Sequence, residues 1–311
     1  MQALAISVAG LQKSFGKNTV LDGIDLEVPR GSVFCLLGPN GAGKTTTINI
    51  LATLLKADGG TATVNGFDVA RQAHKVRAQI SLTGQFAAID DMLTARENLI
   101  LIAALRHEED PASTAEALLK RFGLEDAADR RAGMFSGGMR RRLDIAMSLI
   151  GDAPVLFLDE PTTGLDPHTR NMMWKMIEAL ARDGRTVFLT TQNLEEADRL
   201  SDQIAILSQG AIISGGTAGE LKKLLPQGEF ELVFPDKGQM AAAVRLLQSH
   251  NATPDEEALS LTITTDGSVA QITGILNQIQ DAQIQVSRFS QRTPTLDEAF
   301  LKIISDHEGE S

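Results

Sequence analysis

The stretch Gly38-Pro39-Asn40-Gly41-Ala42-Gly43-Lys44-Thr45-Thr46 sets glycines, a lysine and two hydroxyls between the apolar runs Val33 to Leu37 and Ile48 to Leu51. It reads as strand, glycine loop and helix, the order in which a chain grips a phosphate group. Glycines at 38, 41 and 43 let the backbone curl until successive N–H groups face phosphate oxygens, and the helix that follows adds its positive end. In a G-x-x-x-x-G-K-T loop the lysine, here Lys44, reaches the β- and γ-phosphates, and the Thr45 hydroxyl can ligate Mg²⁺. The alternative, a glycine-rich turn with a surface lysine, does not call for the strand before it or the helix after it.

A second chemical pair closes the run Pro154 to Pro161, where Asp159 and Glu160 end an apolar stretch. Asp159 stands where a phosphate-loop enzyme keeps the carboxylate that organises Mg²⁺. Glu160 points the other way and could polarise a water for attack on a γ-phosphate. The alternative is an acidic pair capping a helix. Ser136-Gly137-Gly138, ahead of a long helical stretch, forms a second anion-binding helix start. Phe15, placed just before the turn glycine Gly16, could stack on adenine, although an aromatic in that position is more often core.

Periodicity indicates the elements that must hold these groups. Leu4 to Val8 and Thr19 to Val28 alternate as strands of an antiparallel patch, Gly59 to Gly66 reads as a hairpin-like segment, and Gln79 to Gln85 reads as a short strand ending at glutamine. Helical spacing from Leu93 to about Ile150 marks an insertion, in which the run Arg140 to Arg142 reads as a solvated helix face. Strands at 154–161, at Thr186 to Thr191 before Gln192, and at Asp202 to Leu207 alternate with a helix. That helix carries Met172, Met173, Trp174, Ile177 and Leu180, all expected in the core, and the alternation gives a largely parallel α/β fold. Beyond Gly210, the segments Gly215 to Gly219 and Leu225 to Gly228 read as a linker. Alternation at Phe230, Leu232 and Phe234, at Leu259, Leu261 and Ile263, and at Ile284 and Val286 is joined by helical spacing at Met240 to Leu247 and Ile272 to Ile279. A last segment, Thr295 to Ile304, closes this separate α+β module.

The 311 residues are 43% hydrophobic and 22% charged, the composition of a globular chain with a sizeable core. A formal charge of −11, from 29 basic and 40 acidic residues, has the wrong sign for nucleic-acid binding through the general surface. Cys35 is the only cysteine, so neither an internal disulfide nor a zinc site can be built on it, and it reads as a small core residue. The N-terminus lacks the basic start and apolar stretch of a secretion signal, and no apolar run approaches the length of a membrane span, about 18 residues. Work at a membrane would require a partner.

Together these residues resemble the ATP-binding cassette family, the motor subunits of ABC transporters. In that resemblance Gly38 to Thr46 is the Walker A loop, Gln85 the Q-loop glutamine, and Phe135 to Met139 the signature motif. Val155 to Asp159 is Walker B, Glu160 the catalytic glutamate, and Leu165-Asp166 the D-loop. The resemblance implies a P-loop NTPase cassette with an antiparallel β subdomain at residues 1–219, a helical insertion at about 86–152, and a small C-terminal α+β domain at 220–311. It implies that ATP contacts Phe15, Gly38, Pro39, Asn40, Gly41, Ala42, Gly43, Lys44, Thr45, Thr46, Gln85, Ser136, Gly137, Gly138 and Asp166. Mg²⁺ would sit at Thr45, Gln85 and Asp159, with Lys44, Glu160 and Gln192 carrying the chemistry. Three positions depart from the family pattern: Phe135 for leucine, Met139 for glutamine, and Gln192 where a switch histidine usually stands. Glutamine can hydrogen-bond a phosphate but carries no proton.

Gly137 to Asp144, Thr190 to Asp198 and the ending Thr293 to Phe300 are similar to daunorubicin-resistance drug-export ATPases. That likeness implies a head-to-tail homodimer with composite ATP sites. It also implies an exporter's integral membrane permease docked near Gln85 to Asn98, and a place at the cytoplasmic face of the cell membrane. Two other classes compete. One is a soluble cassette acting on nucleic acid or the ribosome, against which the acidic charge and the short span from Gln85 to Ser136 argue. The other is a degenerate module that binds ATP without hydrolysing it.

Overall fold

A computed structural model describes residues 3–83, 89–225, 228–265, 268–292 and 294–309. The chain divides into two compact units, Met1–Ala218 and Gly219–Ser311. The first unit opens with β1 (Leu4–Phe15), β2 (Asn18–Pro29), β3 (Val33–Leu37), α1 (Lys44–Leu51), β4 (Gly59–Val64), β5 (Phe67–Asp68), α2 (Ala73–Arg77) and β6 (Ile80–Thr83). Then come α3 (Ala95–Leu105), α4 (Pro111–Arg121) and α5 (Gly137–Ser148). The chain returns to the sheet with β7 (Val155–Asp159), α6 (Pro167–Arg182), β8 (Thr186–Thr191), α7 (Leu194–Leu200), β9 (Gln203–Ser208) and β10 (Ala211–Gly216).

The central sheet runs β10-β9-β3-β8-β7-β6, parallel except for the edge strand β10, and the antiparallel sheet runs β2-β1-β4-β5. β3, β7 and β8 are buried at every residue, which is why they carry continuous apolar stretches, Val33 to Leu37, Val155 to Leu158 and Val187 to Leu189. The rings of Phe34 and Phe188 stack at 5.3 Å, and Phe157 meets Phe188 at 5.6 Å. Both sheets and α1 share one core, in which Ile6, Leu21, Ile48, Leu36 and Phe157 are all buried. In the helical segment, Thr94 and Glu97 form a capping box on α3, and Asp110 caps α4 ahead of Pro111.

Two sequence expectations change here, and a third cannot be compared. Gly215 and Gly216 pair with Ala205 and Ile204 as part of β10, so they belong to the sheet, not to a linker. On α6, Met173, Trp174, Ile177 and Leu180 are buried while Met172 is exposed, because a helix buries a stripe and adjacent residues point about 100° apart. Gln85 lies outside the described residues.

The second unit contains α8 (Ala218–Lys222, begun at the boundary), β11 (Glu229–Val233), α9 (Lys237–Leu246), β12 (Ala252–Asp255), β13 (Ser260–Thr264), α10 (Val269–Asp281), β14 (Arg288–Arg292) and α11 (Leu296–Gly309). Its antiparallel sheet runs β12-β13-β11-β14, and with α9 and α10 as crossovers this is the split βαβ, ferredoxin-like arrangement. Phe230, Leu232, Leu261 and Ile263 meet Met240, Ala243, Leu247, Ile275 and Ile279 in a core of their own. Ile284 and Val286 pack against that core from an irregular stretch, and the strand starts only at Arg288. Leu259, with φ +50°, sits in the turn before β13. At Ile284 and Val286 period-two burial arises without strand pairing, whereas at Leu259 the neighbouring Ser260 and Leu261 are both buried and there is no alternation. Phe230→Ala should destabilise this unit by about 3–5 kcal/mol, measured by chemical denaturation, since a fully buried ring leaves a cavity.

Candidate functional site

The parallel strands deliver their ends to one edge. Gly38 N–H donates to Thr191 O at 3.2 Å, and Glu160 N–H donates to Thr190 O at 3.1 Å, so the glycine loop, the carboxylate pair and Gln192 emerge side by side. The loop then turns into α1 through Gly43. There φ is +112°, and a Cβ would lie 2.7 Å from Leu21 Cδ2 and 2.9 Å from Val20 O, so no side chain fits. Gly43 is also the N-cap, with no side-chain cap, which leaves the first amides of the helix to an anion. Pro39, Asn40 and Gly41 are exposed, Ala42 is buried, and Thr46 is half-buried in that first turn.

Lys44 is buried at 5% exposure. Its Nζ donates to Gly38 O at 2.8 Å and to Pro39 O at 3.1 Å, and it lies 3.2 Å from Glu160 Oε1. The Glu160 contact is an ion pair whose angle leaves Oε1 without a hydrogen bond. Oε2 accepts from Thr163 Oγ1 at 2.7 Å. Thr45 Oγ1 donates to Asp159 Oδ2 at 2.9 Å, and Thr190 Oγ1 donates to Asp159 Oδ1. An alcohol oxygen and a carboxylate oxygen this close are the hard donors that Mg²⁺ takes, with waters completing its octahedron, so the residues present fit that ion.

Glu160 has φ +49°, a left-handed conformation that a non-glycine residue holds at a cost of about 1–3 kcal/mol. An open cavity of ≈ 740 Å³ is lined by Asn40, Gly137, Asp159, Glu160 and Gln192 among others, which brings the glycine loop, the second helix start and both carboxylates to one space. Ser136 caps α5 by accepting from Met139 N–H at 3.3 Å. Gly138 lies so close to Thr169 that a Cβ would be 2.5 Å from its Cγ2. Asp166 caps α6, accepting from Thr169 N–H at 3.0 Å and Thr169 Oγ1 at 2.6 Å. The Thr169 hydroxyl, followed by that amide, holds its carboxyl below the usual range. Phe15 stands apart from the cavity at the end of β1, half exposed at 51%, with Lys13 Nζ 5.3 Å from its ring centroid. Lys13 pairs with Leu21 across the strands, so Phe15 is about 7 Å along β1 from the pair that abuts Gly43. Phe15 is exposed, not core.

The run Arg140 to Arg142 is not a solvated face. Arg140 binds Asp91 and the carbonyl of Ala132, Arg142 binds the carbonyls of Phe122 and Gly123, and Arg141 reaches the end of β7. Charge runs carry no tertiary information, but Arg141 and Asp144 at i,i+3 on the turn that buries Ile145 were a readable sign of an inward pair. Glu196, in the first turn of α7, was also missed. It is fully buried and accepts from Thr162 Oγ1 at 2.8 Å and Trp174 Nε1 at 3.1 Å, and burial pushes its carboxyl above the usual range.

Comparison with known proteins gives a consistent picture. The pattern of the family described as ABC transporter matches residues 21–163. The daunorubicin resistance ATP-binding protein DrrA3 of Streptomyces coeruleorubidus is 44% identical over 308 residues, covering 98% of each chain. The doxorubicin resistance ATP-binding protein DrrA of Mycobacterium tuberculosis is 41% identical over 97% of this chain and 94% of its own. The Nod factor export ATP-binding protein I of Bradyrhizobium diazoefficiens is 34% identical over 97% of each. A solved ATP-binding subunit of an ABC transporter superposes with a TM-score of 0.63 at 27% identity, covering 71% of this chain and 93% of that one.

The raised carboxyl of Glu196 has a consequence for stability. The native state holds this proton more tightly than the unfolded chain does. Its contribution is therefore complete below the ordinary carboxylate pKa and is lost as pH rises through the raised native value. Glu196→Gln removes this titration, so its melting temperature should fall less than that of the wild type between about pH 5 and about pH 8. Parallel melting curves for the two proteins across that range would contradict the burial effect.

Proposed function

This chain belongs to the ABC transporter family as an ATP-binding subunit, an ATPase whose hydrolysis is coupled to transport, and we propose that its site works in a homodimer. Each ATP lies on the glycine loop of one copy and is capped by the Ser136–Gly138 helix start of the other. The observation that carries the nucleotide side of this reading is the grouping, within one chain, of Lys44 with Glu160 at 3.2 Å and of Thr45 with Asp159 at 2.9 Å beside the ends of parallel strands. The adenine stacks on Phe15, the phosphates lie on the amides of residues 39 to 46, and Asp166 serves the dimer contact.

Lys44 transfers from the loop carbonyls to the β- and γ-phosphate oxygens and leaves Glu160 free to act on water. The water oxygen attacks the γ-phosphorus as the bond to the bridging oxygen of ADP breaks, and the water's proton passes to the Glu160 carboxylate. Thr45 and Asp159, with Gln85, would hold Mg²⁺, and a bound Mg²⁺ would supply neutralisation of charge on the phosphates. Gln192 lines the same cavity and hydrogen-bonds the γ-phosphate as a neutral donor.

The cargo is a drug or another hydrophobic compound to be exported, in keeping with the resistance and export proteins to which the chain is similar. Among the described residues no helix is long and apolar enough to cross a membrane, and in this reading the cargo path lies in a separate permease subunit. That subunit docks near Gln85 to Asn98 and holds the chain at the cytoplasmic face. Asn98 supports such a platform by tying Asp90 and Thr94 to α3, and Met92 exposes 69% of its surface beside them.

Glu160→Gln should bind ATP at wild-type affinity, accumulate as an ATP-held dimer in sedimentation, and lose about 100-fold or more of its turnover. Unchanged turnover would remove Glu160 from the chemistry. Tagged Glu160→Gln protein isolated with ATP from detergent-solubilised membranes should bring a polytopic membrane protein in near-equal amount. Recovery of ribosomes or DNA-repair proteins instead would favour the soluble-switch class.

A further inference from the structure

Arg141 belongs to none of the phosphate, carboxylate or turn motifs, yet its guanidinium is buried among them, with its side chain 14% exposed. From α5 it donates Nη2–H to Asp159 O at 2.9 Å and Nε–H to Pro161 O at 3.0 Å, and Nη1 meets Asp144 Oδ2 at 3.1 Å. The two carbonyls flank Glu160, the residue with left-handed φ. Such a conformation persists only where its surroundings over-determine it, and here a planar fork holds the peptide that enters Glu160 and the peptide that leaves Pro161, one residue further on. Glu160 N–H is held from the opposite side, by Thr190 O and Thr190 Oγ1. Asp144, itself buried, supplies the counter-charge that lets the guanidinium stay in the interior.

The same helix begins at the Ser136–Gly138 turn, and Gly138 abuts Thr169 at the start of α6. The first turn of α5 and the Arg141 clamp are one helical turn apart, so a displacement of one is a displacement of the other. We propose that Arg141 is a positioning residue for hydrolysis, which makes the aim of the Glu160 carboxylate depend on where α5 stands. Contact of the Ser136–Gly138 turn with one nucleotide is thereby delivered to the carboxylate that serves the other. The inference rests on the proposed roles of Glu160 and of the α5 start. It goes further by naming the side chain that joins them within one chain.

The test uses the purified full-length protein and compares wild type, Arg141→Lys, the double variant Arg141→Met with Asp144→Asn, and Glu160→Gln. ATP affinity, KM, kcat and melting temperature are measured for each. Lysine keeps the charge beside Asp144 but cannot bridge both carbonyls with a fork. The double variant removes the buried carboxylate that Arg141→Met alone would strand, so it keeps a folded sample available. Both Arg141 variants should lose about ten- to a hundredfold in kcat, the scale of a small misplacement of a catalytic group. Their KM and ATP affinity should stay within about twofold of wild type, as for an interaction made only in the transition state.

Wild-type kcat in either folded variant overturns the inference. So does a joint fall of kcat and affinity, which would mark a general loss of structure. Wild-type turnover in Glu160→Gln would overturn the underlying role of Glu160. A stalled Glu160→Gln beside a fully active Arg141→Lys overturns the clamp alone.

Discussion

Leu36 and Asp159 both lie opposite Thr190, because β8 runs between β3 and β7 and all three strands point the same way. That shared partner aligns the carboxyl ends of the strands. It puts the glycine loop, the carboxylate pair and Gln192 on the edge where open parallel sheets bind ligands. A slip of one residue would send Asp159 to the other face of the sheet and separate it from Thr45. The register is held by burial: Phe34, Phe157 and Phe188 are in ring contact across the three strands, each contributing about 1.5–3 kcal/mol.

Burying those strands also buries charge. Lys44, Asp144, Asp159 and Glu196 are all at or below 5% exposure, a position that would be costly without partners. The fold supplies those partners in pairs. Lys44 has loop carbonyls and Glu160, Asp159 has two threonine hydroxyls, and Asp144 has Arg141. Glu196 has hydroxyl and indole donors but no cation among these contacts, and its carboxyl moves toward the neutral form. The site is therefore a network in which a phosphate competes for Lys44 against oxygens already in place, and relocating one charge changes the surroundings of the next.

The second unit shows the same logic without the chemistry. Its sheet buries one face of β11 and β13 under α9 and α10, and Phe230, Leu232, Leu261 and Ile263 alternate accordingly. Where the chain leans on that core from an irregular stretch, at Ile284 and Val286, it copies the spacing of a strand without the pairing. Period two in a sequence reports alternate burial, and pairing is a separate matter.

Much of the architecture was legible because its causes are local. Unbroken apolar runs mark strands covered on both faces, as at Val33 to Leu37, Val155 to Leu158 and Val187 to Leu189. A glycine loop between strand and helix has few other uses, and the order of motifs pointed to the family. The sequence by itself therefore determined the fold class and the placing of a glycine loop and a carboxylate pair at the ends of buried strands. The tertiary structure decided which charges turn inward. Arg140, Arg141 and Arg142 are consecutive and alike, yet one helix aims them at Asp91, at the β7 end, and at the carbonyls of Phe122 and Gly123. It also decided that Phe15 is exposed, that Met172 faces solvent, and that Gly215 and Gly216 pair within a sheet. Those outcomes depend on what packs opposite a residue from distant parts of the chain, and neighbouring residue types do not encode that contact.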